Sequence, residues 1–205
     1  MKKILVTGGK GFIGSKIVEM LSNDYKVTVV DNNDTYGIMT KVELDKLYKW
    51  RTRNWNEKNV QFISGDILDR LTCLQAFSHR PDIVIHLATY PRAKIVDNDP
   101  ILGIPKVIGT TTNLLWHSEK FDVQKFVYVS SSMVYGDFKG ETALEDQNCN
   151  PIGIYGSLKM AGEIIVKSYN QVFDLPYTII RPSALYGERC VSRRVGQVFI
   201  ENSLT

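Results

Sequence analysis

Tyr155 and Lys159 stand four residues apart in "NPIGIYGSLKMAGE" (150–163), the spacing that puts two side chains on one face of a helix. A phenol held near an ammonium can move a proton. The ammonium favours the phenolate and brings an ordinary pKa of about 10 toward neutral pH. An ordinary solvated helix face carries the same pair, so its meaning depends on what else the chain brings to it. Upstream, "VYVSSSMVYG" places Ser130, Ser131 and Ser132 at the end of an apolar run. A hydroxyl there can hold a substrate alcohol and stabilise charge developing on its oxygen. Turn chemistry alone also explains a serine run.

Such chemistry needs a hydride acceptor, and the N-terminus offers a place for one. In "VTGGKGFIG", Gly8, Gly11 and Gly14 have GxxGxxG spacing between an apolar run and a helix-patterned segment. Gly8 permits a tight turn, Gly11 lets the backbone approach a pyrophosphate, and Gly14 allows close helix–strand packing. The helix start then presents amide groups and a positive dipole end to phosphate. Asp31 lies 17 residues beyond Gly14 and is followed by Asn32 and Asn33 instead of arginine. A carboxylate there can accept hydrogen bonds from the adenosine ribose and would repel an extra phosphate, so NAD is favoured over NADP. A turn or cap aspartate is the plainer alternative.

The elements that must position these residues follow from periodicity. Runs at 3–8, 26–31, 60–66, 82–88, 125–131 and 177–182 are short, β-branched and apolar throughout, as in strands covered on both faces. Segments 12–22, 68–79, 100–120 and 155–173 read as helices between them. This alternation predicts an α/β fold with a doubly wound parallel sheet, whose carboxyl edge would carry both the serines and Tyr155. The longer link 32–59 contains "KVELDKLYKWRTRNWNEK", with six basic residues, three acidic residues and two tryptophans. A nucleic-acid surface is one reading. Val42, Leu44, Leu47 and Tyr48 are roughly helix-spaced, which favours a packed helix with a solvated basic face.

Composition narrows the classes further. The chain has 205 residues, 43% hydrophobic, and a net charge of +3, too mild to imply a polyanionic partner. Cys73, Cys149 and Cys190 form no CxxC pattern, and His79, His86 and His117 show no metal-ligand spacing. We therefore expect reduced thiols, no metal site, no nucleic acid, no membrane span and a cytoplasmic location.

The motifs "TGGKGFIG", "SGDILD", "HLAT", "VSSSMVYG", "PIGIYGSLK" and "RPSALYG" occur in order over almost the whole chain. With them the sequence resembles the extended short-chain dehydrogenase/reductase family, specifically its NAD-dependent nucleotide-sugar epimerases and dehydratases, which have a Rossmann fold. The resemblance implies that Tyr155 is the acid/base and that Lys159 binds the nicotinamide ribose. The family's catalytic Ser/Thr falls on Ser131 more naturally than on Ser132. Phe12 and Ile13 would offer amides to the pyrophosphate, Asn32 would bind the cofactor beside Asp31, and Asp66 and Ile67 would flank adenine. Leu87, Ala88 and Thr89 would line the cofactor, with Pro182 and Ser183 facing the nicotinamide.

In the family's 4,6-dehydratases an Asp-Glu pair follows the catalytic Ser/Thr. Here those positions are Ser132 and Met133, so epimerisation of a UDP-linked sugar is the expected reaction. A dehydratase, another oxidoreductase or a non-catalytic dinucleotide binder are the alternatives. The usual Asn of "RPxNxYG" is Ala184, and an Asn of the preceding helix falls at Lys106 or Val107. The resemblance further implies a homodimer and a sugar-binding lobe of on the order of 100 more residues. Residues 1–185 are thus expected to form the NAD-binding domain, and 186–205 the start of a truncated lobe, the rest of which is absent. Arg193 and Arg194 within it would meet a nucleotide diphosphate or simply begin a solvated helix.

Overall fold

The computed structural model describes residues 1–34, 39–90, 93–138, 142–188, 190–191 and 195–203. Six strands form one sheet: β1 (Lys3–Thr7), β2 (Lys26–Asp31), β3 (Val60–Ser64), β4 (Ile83–His86), β5 (Lys125–Val129) and β6 (Tyr177–Ile180). Their order is β3-β2-β1-β4-β5-β6, and every neighbouring pair is parallel. Each falls on a run read as a strand. The chain winds outward from β1 to β3, then crosses back to place β4 on the other side of β1. That reversal opens a crevice at the carboxyl ends of β1 and β4.

The helices are α1 (Phe12–Leu21), α2 (Lys41–Thr52), α3 (Arg70–Phe77), α4 (Ala93–Asn98), α5 (Pro100–Ile104), α6 (Thr110–Lys120), α7 (Ile154–Phe173) and α8 (Val195–Ser203). Alternate residues of the strands supply two cores. Leu5, Val30, Val84, Phe126 and Tyr128 pack with Phe77 of α3, Leu114 and Leu115 of α6, and Val166 of α7. Ile4, Val6, Val27 and Val29 pack on the opposite face with Val18 of α1, beside which α2 lies. Fully burying a side chain such as Leu5 stabilises the fold by about 2 kcal/mol. On that second face the cover thins toward β6. Ile85, Val127 and Val129 are half-buried, and Ile180 is exposed.

The sequence predicts one helix over 100–120, and the structure divides it. Asp99 caps α5 through the Leu102 amide. Pro105 then supplies no amide and crowds the preceding turn, and residues Pro105–Gly109 widen into a π-helical turn before α6. The short helix α4 was not anticipated. In α2 the buried residues are Leu44, Leu47 and Arg51, whereas Val42 is exposed. Arg51 therefore belongs to the packed face, not to the solvated basic one, and Trp55 docks its indole nitrogen on the Ser15 carbonyl. Among the described residues no helix is long and apolar enough to cross a membrane.

Candidate active site

A cleft of about 380 Å³ opens along the carboxyl edge of the sheet. Its first wall is the turn after β1. Gly8 takes φ +70°, and a Cβ there would stand 2.9 Å from the Ala88 amide nitrogen at the end of β4. A Cβ on Gly14 would collide with the Gly8 carbonyl oxygen. Only glycine lets strand, turn and helix approach this closely. Gly11 is the N-cap of α1, and it offers no side chain to the first turn. Gly8, Gly11, Phe12, Ile13 and Gly14 all line the cleft, so the helix start faces it with its positive end.

Asp31 terminates β2 and turns its carboxylate into the same space. One oxygen accepts from the Lys10 amide and the other from the Asn33 amide, each at 2.9 Å. The carboxylate is thereby fixed in orientation while keeping further lone pairs for a ligand. Burial raises its pKa, opposed by those two amide bonds and by the charges of Lys10 and Arg51. Arg51 reaches over from α2, is buried, and donates to the Lys10 carbonyl at 3.2 Å. Asn32 lines the cleft beside Asp31 and donates weakly, at 3.5 Å, to Asp66.

Asp66 and Ile67 form the next wall. Burial works to raise the Asp66 pKa, but the Lys106 ammonium, 2.5 Å away, and the Leu68 amide hold it below its ordinary value. Lys106 sits in the π-turn, at one of the two positions where the family resemblance places an asparagine, and it too lines the cleft. The floor is Leu87, Ala88 and Thr89, carried by the end of β4. Beneath it His86 bridges Thr7 Oγ1 at 2.9 Å and Thr111 Oγ1 at 3.1 Å, and burial pushes its pKa down to about 3. A neutral imidazole thus ties β1, β4 and α6 together under the site.

The remaining end brings the proton-moving groups together. Ser130 and Ser131 follow β5, and Tyr155 and Lys159 project from the first turns of α7; all four line the cleft, as do Pro182 and Ser183 after β6. Ser132 does not. Ser131 Oγ accepts from the Met133 amide at 3.2 Å and caps a turn of 3-10 helix, Ser132–Tyr135. Its hydroxyl proton is still available to donate. Tyr155 is buried, and Lys159 is 3% exposed, with Nζ donating to the Val129 carbonyl at 2.9 Å. Burial pushes the Lys159 pKa down to about 7. A bidentate pair, Arg181 to Glu163 at 2.9 and 2.7 Å, locks α7 to the segment that delivers Pro182.

Apart from Ser132, every residue singled out from sequence as catalytic or cofactor-binding lines this one cleft. Arg193 and Arg194 fall outside the described residues. Sequence reasoning missed Arg51, Lys106, Thr110, Leu185 and Cys190 as lining groups. Arg51 was hidden in a segment that reads as solvated, and Lys106 was noticed only as a substitution. Ser130, the first of the three serines that end the apolar run, is 4% exposed, and its hydroxyl, like that of Thr89, has no hydrogen-bond partner among the described residues. Two buried, unpaired hydroxyls on a cleft wall suit a polar ligand such as a dinucleotide. The glycine turn, the α1 start and Asp31 suit the same ligand. Among the described residues there is no cluster of three or more metal-ligating side chains.

Comparison with known proteins agrees with this geometry. The chain matches the sequence model of the NAD dependent epimerase/dehydratase family over residues 4–203. It is 34% identical over 194 residues to a UDP-glucose 4-epimerase of Mycolicibacterium smegmatis, covering 91% of this chain and 57% of that protein. A human dTDP-D-glucose 4,6-dehydratase is 32% identical over 202 residues, which is 97% of this chain and 55% of that protein. A solved UDP-glucuronic acid 4-epimerase from Bacillus cereus, in complex with UDP-glucuronic acid and NAD, superposes with a TM-score of 0.83. It is 31% identical, and the match covers 98% of this chain and 63% of that one. The chain therefore spans between half and two thirds of the length of these relatives.

Proposed function

This chain belongs to the NAD-dependent epimerase/dehydratase family, and from that premise we propose that it is the cofactor-binding part of a nucleotide-sugar epimerase acting on a UDP-linked sugar. The observation that carries the reading is the single cleft shared by the glycine turn, Asp31, Ser131, Tyr155 and Lys159. NAD would be held by the α1 start at its pyrophosphate, by Asp31 at its adenosine ribose, by Asp66 and Ile67 beside adenine, and by Lys159 at its nicotinamide ribose. When bound, it supplies a reversible acceptor for hydride from the sugar carbon.

The protein's own groups manage the proton and the oxygen. Tyr155 takes the proton of the sugar hydroxyl and gives it back after the keto-sugar has turned its other face. The Ser131 hydroxyl donates to that oxygen as charge shifts on it. Lys159, protonated below about pH 7, would stabilise negative charge on the phenol of Tyr155, the residue one helical turn before it. Tyr155 and Lys159 are buried, so these interactions act with little screening by water.

Epimerisation is favoured over 4,6-elimination because Ser132 and Met133 provide no carboxylate after Ser131, and neither lines the cleft. The human dehydratase relative keeps elimination as the second reading. Product analysis with UDP-glucose, UDP-N-acetylglucosamine and UDP-glucuronic acid separates them. A 4-epimer supports the proposal, and a 4-keto-6-deoxy product supports the alternative.

We assign residues 1–185 to the NAD-binding domain and 186–205 to the start of a substrate lobe. Exposed Ile101, Ile104, Ile164 and Val172 support a homodimer through α5 and α7. The burial of Arg51 and the docking of Trp55 speak against nucleic acid. Three free cysteines support a reducing, cytoplasmic setting.

A further inference from the structure

Helix α7 starts on a residue that cannot cap it. The N-cap is Gly153, with φ 81° and ψ 164°, and it has no side chain to offer the first-turn amides. Those amides are met from another element. Asp97 Oδ1, on α4, accepts from the Ile154 amide at 2.8 Å and from the Tyr155 amide at 3.0 Å. These contacts join residues 57 and 58 positions apart in sequence. A Cβ on Gly153 would stand 3.2 Å from Asp97 Oδ2, so the glycine leaves room for the carboxylate.

Helix α4 is only six residues long and cannot hold Asp97 by itself. It is anchored by Val96, which is buried with Tyr90 and Tyr155 and against Ile154 and Leu158. Tyr90 directly follows Leu87–Thr89, the floor of the cleft. A continuous path thus runs from that floor through α4 to the backbone of Tyr155. Helix ends fray where their backbone groups lack partners, and Tyr155 lies in the first turn of α7.

We propose that Asp97 is a positioning residue for Tyr155: by accepting two first-turn amides it fixes the backbone from which the phenol reaches the substrate. This rests on the reading of Tyr155 as the acid/base. The role is geometric, and the acceptor oxygen matters more than the charge. A displacement of the reacting group by about 1 Å can cost on the order of 100-fold in rate.

The test compares wild type with Asp97→Ala, Asp97→Asn and Asp97→Glu, using NAD and the three UDP-sugars above. Asparagine keeps an acceptor oxygen in place; glutamate keeps the charge but shifts it by one methylene. We expect Asp97→Ala and Asp97→Glu to lower kcat by roughly 10-fold or more while KM and NAD affinity change by less than roughly 3-fold. Asp97→Asn should retain most of kcat. Amide exchange across 153–158 should quicken in Asp97→Ala and stay slow in Asp97→Asn. The proposal is overturned if kcat of Asp97→Ala matches wild type, if Asp97→Asn loses as much as Asp97→Ala, or if kcat and NAD affinity fall together. Should Asp97→Ala not fold, the contrast between asparagine and glutamate decides alone. Where the cofactor-binding part alone turns over no sugar, the amide-exchange contrast between Asp97→Ala and Asp97→Asn decides the proposal; an active Tyr155→Phe would instead refute the reading of Tyr155, which an active wild type indifferent to Asp97 would leave standing.

Discussion

The ammonium nitrogen of Lys159 donates to the carbonyl oxygen of Val129 at 2.9 Å, tying the helix of Tyr155 to the strand end that leads into Ser131. Burial holds its pKa at about 7 against an ordinary 10.5. Below about pH 7 both folded and unfolded chains carry the proton, and the folded state bears the full cost of a buried charge. Between about 7 and 10.5 the unfolded state binds more protons, so this residue makes stability rise with pH. The stability of Lys159→Met relative to wild type should thus be greatest near pH 6 and fall toward pH 10. Denaturant midpoints across that range check it, and a constant difference would count against the buried ammonium.

His86 gives a second, separate pH signature. Its folded pKa of about 3 lies below the ordinary 6.5. The unfolded chain binds the extra proton between those values, so stability due to this residue is complete above about 6.5 and lost as pH falls toward 3. His86→Asn should flatten the acid limb of a stability profile between those limits. An unchanged limb would mean that His86 is not buried neutral.

Asp31 tests the cofactor end. Its carboxylate, fixed by the amides of Lys10 and Asn33, would hold the NAD ribose and repel the extra phosphate of NADP. Asp31→Ala should weaken NAD more than NADP, narrowing the preference by roughly 10-fold or more. Titration calorimetry with each dinucleotide measures this. Equal weakening of both would remove the assignment.

Glu163 and Arg181 test the scaffold. Glu163 is fully buried and pairs with the bidentate guanidinium of Arg181, which also donates to the Glu145 carbonyl at 3.2 Å. Arg181→Met should destabilise by about 3–5 kcal/mol, because a buried carboxylate is left without its counter-charge. The double variant with Glu163→Gln should recover part of that loss in urea titrations. A loss under about 1 kcal/mol would show the pair to be solvated.

Much of this was legible in the residues themselves. Strands such as 26–31 are apolar on both faces, and that pattern survives because both faces are packed. The glycine turn, Asp31, Ser131 and Tyr155 carry their chemistry in residue type and spacing, so their shared edge follows from strand–helix alternation. What stayed hidden depends on tertiary packing. Arg51 is a basic residue in a basic segment, and nothing local says that it turns inward. Asp97 caps a helix 57 residues away, a contact no local pattern encodes. Lys106, in the widened turn that begins at Pro105, pairs with Asp66, a contact that a helix-period reading of 100–120 passes over.

If Tyr155 moves the proton in a cleft that holds NAD, removing its hydroxyl in Tyr155→Phe should cost turnover and spare the cofactor. The measurement pairs NAD affinity with turnover of the UDP-sugars by wild type and variant. NAD affinity should stay within roughly 3-fold of wild type and turnover should fall by ~100-fold or more, since only the acid/base oxygen is removed. Turnover that persists in Tyr155→Phe, with NAD bound as before, would contradict this role for Tyr155.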